Sequence, residues 1–220
     1  MRRSGRMLAA ACGVAVLSPA GAEAHCSAKD VEERLGAAGH RTASTAVAVP
    51  IRSAAHAPVW KTIDVGTFSD SLALRNKLAA LNCGVGDGAA QIMARPSFAL
   101  SASVARLDLV PVSAEQLALQ SKVVRLRELY ARAEQLGFEL APAEVGPQLR
   151  LQYPDQPIGE FLIVGMRPLQ TWSGESLVFV VGNGGSGLHL LSQAADASIY
   201  SRSRILFVRR RHDTDVALQE

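Results

Sequence analysis

The chain has 220 residues, of which 48% are apolar, 20% charged and 5% aromatic. This is globular composition; it excludes a disordered or fibrous chain and calls for an aliphatic core. The formal charge is +3, but Arg2, Arg3, Arg6 and Glu23 fall in a segment read below as removed, and without them it is +1. The basic character therefore gives no reason to expect a nucleic-acid partner.

The N-terminus reads as a secretory signal. Arg2, Arg3 and Arg6 precede an apolar run over residues 7–17, Pro19 and Gly21 break it, and Ala22-Glu23-Ala24 matches an A-x-A cleavage site. The expectation is a signal peptide over 1–24 and a mature start at His25, hence a periplasmic or secreted protein. A membrane anchor would need about 20 apolar residues, and neither this run nor any later stretch reaches that length. Cys12 would leave with the signal. Cys26 and Cys83 remain, an even pair in an oxidising compartment, and are expected to form a disulfide. The bridge would close a loop worth about 4 kcal/mol in the chain-entropy model.

Residues 27–39 read as a short helix, with Ser27 and Asp30 as a capping box. Residues 40–59 are a linker, or hold a short strand over 46–51. A single domain is expected from Trp60 to His212, followed by a tail over 213–220. Within it, 60–65 is a strand and 70–81 an amphipathic helix using Leu72, Leu78 and Leu81. A glycine-punctuated stretch and a short helix over 89–94 follow, then an alternating strand over 103–112. Ser113 and Gln116 form a second capping box, opening the longest helix, which runs to Leu136 with Gly137 as its stop. Its stripe is Leu119, Val123, Leu126, Tyr130 and Ala133, with a break near Ser121 allowed. Residues 160–166, 177–181, 187–191 and 205–209 are strands. Helices and strands interleave early and strands alone follow late, which predicts an α+β fold with a largely antiparallel sheet.

Residues 182–187 spell G-x-G-x-x-G, but a strand pattern follows where a dinucleotide site needs a helix. Asn183-Gly184 between apolar strands is instead a hairpin signal. His25 as a free N-terminus could chelate copper, yet His40, His56, His189 and His212 stand at no telling spacing, so no metal or cofactor is expected. Arg202, Arg204, Arg209, Arg210, Arg211 and His212 form the one basic cluster; with Asp213 and Asp215 adjoining and no interleaved aromatics, it reads as a solvated strand end.

Residues 142–153, Pro-Ala-Glu-Val-Gly-Pro-Gln-Leu-Arg-Leu-Gln-Tyr, are the densest polar segment. As a strand, Gln148, Arg150 and Gln152 would share one face at steps of about 7 Å. As a helix, Pro142 and Glu144 would suit the first turn. Both remain open, with the helix favoured. Glu144 and Arg150 are six apart, off the helical i,i+4 step, so each is expected to have its own partners, with a bend at Gly146-Pro147. Asp155 and Glu160 are the nearest carboxylates for Arg150.

Together with Leu136-Gly137, Asp155-Gln156-Pro157 and Gly159-Glu160, this segment resembles the signature of a family of bacterial proteins of unknown function. Further matches are Gly86-Asp87, Ala94-Arg95-Pro96 with Phe98, and residues 130–133. The resemblance spans about two thirds of the chain and implies a shared fold but no activity. Family members often carry Cys where this chain has Ala141, and they begin near the Trp60 strand, so residues before it look like an addition.

Two functions follow as expectations. One is an exported, non-enzymatic binding or interaction module for an unknown protein or small molecule, with Gln148, Arg150 and Gln152 as candidate contacts. The other is an exported hydrolase or transferase with Glu144 as acid or base and Arg150 holding an anionic group. An open cleft around Glu144 and Arg150 would favour the enzyme, a closed core the module.

Overall fold

The computed structural model describes residues 49–209. The expected signal peptide, the expected 27–39 helix, the expected tail, Cys26, His25, His40 and the Arg210–His212 end of the basic cluster lie outside the described residues.

The fold is α+β, a large, mostly antiparallel sheet with four helices. Its strands are β1 (Lys61–Val65), β2 (Gly84–Val85), β3 (Ala105–Val112), β5 (Phe161–Val164), β6 (Leu169–Gln170), β7 (Ser176–Asn183), β8 (Leu188–Ala194) and β10 (Arg204–Arg209). The order is β1-β3-β10-β5-β7-β8-β2, with β6 beside β7; only β10–β5 and β2–β8 are parallel. β4 (Val123–Arg125) and β9 (Ser198–Tyr200) form a separate antiparallel pair. The helices are α1 (Ser71–Ala80), α2 (Asp87–Met93), α3 (Leu126–Gln135) and α4 (Val145–Gln152). Among the described residues, no helix is long and apolar enough to cross a membrane.

Register assigns the two faces, because side chains alternate along each strand. Ile205 pairs with Ile163 and Ile163 with Val180, so these three share a face with Phe207. Tyr130 of α3 meets Phe207 edge-on there and Phe138 meets it tilted, at 5.8 Å between centroids in each case. Phe179 and Val181 point to the other face, where α4 packs so closely that a Cβ on Gly146 would lie 2.8 Å from the Phe179 ring.

α1 starts where expected: Asp70 Oδ1 accepts the Ala73 N–H at 2.8 Å as a cap. That bond holds the Asp70 carboxyl below its ordinary pKa. The buried stripe is Leu74 and Leu78, whereas Leu72 and Leu81 are exposed.

The long helix predicted from Ser113 is a correction. The capping box forms, with the Ser113 N–H donating to Gln116 Oε1 at 3.0 Å and the Gln116 N–H to Ser113 Oγ at 3.3 Å. It opens only one turn, because Ala118 turns left-handed at φ 60°. Residues 123–125 then pair with β9, and the helix begins at Leu126. Val123 is exposed opposite Tyr200; only Leu126, Leu129 and Ala133 make the buried stripe.

Asn183-Gly184 does lie in a β-hairpin, but it is not a two-residue turn. Asn183 pairs with Leu188 across the four-residue loop 184–187, and the left-handed residues are Gly185 and Gly187. Asn183 Oδ1 accepts the Gly185 N–H and its Nδ2 donates to the Gln156 carbonyl, so the side chain organises the loop.

Residues 49–59, placed with the linker by sequence, lie against the domain. Ile51 N–H donates to the Gln116 carbonyl, Ala54 N–H to that of Leu136, and Ala54 and Ala57 are buried.

Candidate functional site

The polar segment folds as a helix. Pro147 does not bend it: the proline sits in the first turn, where its missing N–H costs little, and the helix runs unbroken over Val145–Gln152. The bend expected at Gly146-Pro147 is therefore corrected. Helical geometry sorts the polar side chains into two diverging sets.

Glu144, Gln148 and Gln152 stand four apart and form a ladder. Gln148 Nε2 donates to Glu144 Oε1 at 3.0 Å, and Gln152 Nε2 to Gln148 Oε1 at 3.2 Å. The ladder runs beside β1, the terminal strand on that side of the sheet. The Gln152 amide accepts the Asp64 N–H at 2.9 Å and donates to the Asp64 carbonyl at 2.8 Å, doing for this edge what a neighbouring strand would do. Gln148 also donates to Thr67 Oγ1 at 2.8 Å. Glu144 accepts the Gly66 N–H on Oε1 and the Ser101 N–H on Oε2, both at 2.7 Å. It thus ties together two loops that line a small polar cavity of about 520 Å³. Gly66 has to be glycine here: its φ is 72°, and a Cβ would lie 2.1 Å from the Ser103 carbonyl oxygen.

Arg150 points the other way. Its Nη1 bonds Gln156 Oε1 and reaches the Gly182 carbonyl, and its Nη2 bonds the Tyr153 carbonyl. Neither Asp155 nor Glu160 bonds it. Gln156 completes the bracket by donating to the carbonyls of Glu160 and Val181. Glu144 is 0% exposed and Arg150 1%. Burial holds the Arg150 guanidinium below its ordinary pKa, with the neighbouring Cys83 thiol opposing that shift. Cys83 is buried beneath the end of α1, and its expected partner Cys26 lies outside the described residues.

Glu160 instead anchors a cluster that the sequence did not single out. It accepts the Tyr153 O–H at 2.8 Å and pairs with Arg204 Nη1 at 2.5 Å. Tyr153 meets Trp60 edge-on with centroids 5.1 Å apart, and Lys61 Nζ lies 4.9 Å from the Tyr153 centroid. Burial pushes the Tyr153 phenol above its ordinary pKa, and the Glu160 carboxylate adds to that. Trp60, Glu160 and Arg204 open onto a groove of about 1400 Å³. Ile163, Val180 and Gln193 line it on the α3 face of the sheet, and residues 49–53, 56–60, 157–161, 198–200 and 202–204 wall it. The sequence offers Glu160 as a candidate partner of Arg150 and Arg204 as part of the basic cluster, but nothing local joins either to Trp60 or Tyr153.

The other described cations of the basic cluster are paired, Arg202 with Glu115 at 3.1 Å and Arg209 with Asp108 at 3.9 Å. His189 packs over Gly84 and bonds the Gly187 carbonyl through Nδ1, while His56 sits on the groove wall. Among the described residues, no group of three or more His, Cys, Asp or Glu could hold a metal ion.

No family model, curated protein or solved structure matches this chain.

Proposed function

We propose that the protein is an exported, non-enzymatic binding module whose ligand occupies the groove, with Glu144, Gln148, Arg150 and Gln152 serving the fold. The observation that carries this reading is the enclosure of Glu144 and Arg150. Their charged heads are turned to the chain's own N–H and carbonyl groups. A general acid or base needs to reach a substrate proton, and an anion clamp needs donors that reach the ligand; Arg150 Nε has no partner among the described residues, but it is shut off from solvent. The groove supplies what the polar helix lacks, an accessible concavity with a mainly apolar surface and polar and charged groups along its walls. Export rests on the order of charged, apolar and A-x-A segments over residues 1–24.

Thermal unfolding of Glu144→Gln and Arg150→Ala tests the assignment. Lowered midpoints for both are expected. Wild-type midpoints, with loss of an activity or of binding, would instead favour the hydrolase or transferase.

A further inference from the structure

We propose that Asn183 is a site of spontaneous covalent modification, converted to aspartate and isoaspartate by attack of the Gly184 backbone nitrogen, and that the conversion unclasps the β7–β8 loop from Gln156. The inference is independent of what the groove binds. The reaction needs an asparagine whose following backbone N–H is free to attack the side-chain amide carbon. The chain has three asparagines, and the fold separates them on this point. After Asn76, the Lys77 N–H lies inside α1, where the helical ladder holds it. After Asn82, the Cys83 N–H donates to the Leu78 carbonyl at 3.0 Å. After Asn183, the Gly184 N–H has no acceptor among the described residues. Gly184 is also exposed, and it carries no side chain to shield its nitrogen.

The amide under attack is prepared as well. Asn183 Oδ1 accepts the Gly185 N–H at 3.1 Å, a bond that polarises the carbonyl and holds the oxyanion as attack proceeds. A bond forms between Gly184 N and Asn183 Cγ, and the Cγ–Nδ2 bond breaks. The side-chain amide leaves as ammonia, carrying away the proton of the Gly184 nitrogen. Water then opens the cyclic imide at either carbonyl, giving aspartate or isoaspartate. One water is consumed and one ammonia released, and nothing is oxidised or reduced.

The structural consequence follows from the group that leaves. Asn183 Nδ2 donates to the Gln156 carbonyl at 2.7 Å, and a carboxylate in its place turns two acceptors toward each other. Isoaspartate also adds a methylene to the backbone at a residue whose N–H donates to the Glu160 carbonyl and whose carbonyl accepts the Gly159 N–H. Conversion therefore loosens residues 156–160 from the end of β7.

The test is peptide mapping by mass spectrometry, with isoaspartate counted by enzymatic methylation. The folded protein is held in mildly alkaline buffer and sampled over days, beside the same chain unfolded in guanidinium chloride. In the folded protein, conversion at Asn183 is expected to run at least tenfold faster than at Asn76 or Asn82, and within tenfold of its own rate in the unfolded chain. Gly184→Val, which screens the attacking nitrogen, should slow it at least tenfold. Asn183→Asp, which places the direct product in the loop, should unfold at a lower denaturant midpoint than the wild type. Conversion at Asn183 no faster than at the other two asparagines, or more than tenfold slower than in the unfolded chain, overturns the site. A wild-type midpoint for Asn183→Asp overturns the release of Gln156.

Discussion

The two sides of the sheet treat polar groups in opposite ways. On the α4 side, a carboxylate, two amides and a guanidinium are shut in, and each is bonded to named backbone or side-chain groups of the same chain. On the groove side, buried strand residues such as Ile163 and Val180 form the floor of an open concavity whose walls carry charges paired with one another, Glu115 with Arg202 and Glu160 with Arg204. Density of polar residues in sequence thus marks the part of the molecule that is most closed. The polar helix replaces the missing neighbour of edge strand β1, whereas the groove stays open to solvent.

If that contrast is right, the largest losses of stability lie on the α4 side. Arg150→Ala should cost about 3 kcal/mol or more, because Gln156 and the Tyr153 and Gly182 carbonyls lose their buried donor. Chemical denaturation should show it as a lowered midpoint. Arg52→Met, on the groove wall, should unfold like the wild type. Gly146→Ala comes next, at about 1–3 kcal/mol, since the new methyl must displace Phe179 or α4.

A smaller effect is alkaline. Burial pushes the phenols of Tyr130 and Tyr153 above their ordinary values, so the fold favours their neutral forms. Their contribution is fully present below the unfolded pKa of about 10 and is lost as pH rises beyond it. Denaturation midpoints should be level from pH 8 to about 9.5 and fall above pH 10. Tyr130→Phe should reduce that fall, because its ring stays packed on Phe207; an unchanged fall would refute the assignment.

The smallest effect separates two adjacent glycines of the β7–β8 loop. Gly184→Val should be close to neutral, as φ is not positive there and the nearest atom to a Cβ is 3.9 Å away. Gly185→Val should cost about 1 kcal/mol or more, because its φ of 89° suits no β-branched residue.

Much of the architecture was legible in local pattern. Alternation and apolar runs located β1, β3, β5, β7, β8 and β10, and Asp70 and Gly137 marked the ends of α1 and α3. The stretch from Ser113 misled because a capping box and a helical stripe are local signals, while the pairing of Val123–Arg125 with Ser198–Tyr200 is not. The same limit hid the groove. Trp60, Glu160 and Arg204 are scattered through the sequence, and only strand order brings them together. Glu144 and Arg150 could be singled out by residue type, and their lack of mutual pairing followed from the helical step. Their enclosure did not, because it depends on Gly66, Ser101 and Gly182, which the backbone delivers from three distant segments.

The most direct check on this division of labour is the thermal unfolding midpoint of Glu144→Gln. That change keeps the size of the side chain but presents an amide N–H₂ where one of two backbone donors, at Gly66 or Ser101, needs an acceptor. A midpoint clearly below that of the wild type, by a loss of about 1–3 kcal/mol, is the predicted result. A midpoint equal to that of the wild type would contradict the account and return Glu144 to the list of residues that act on a substrate.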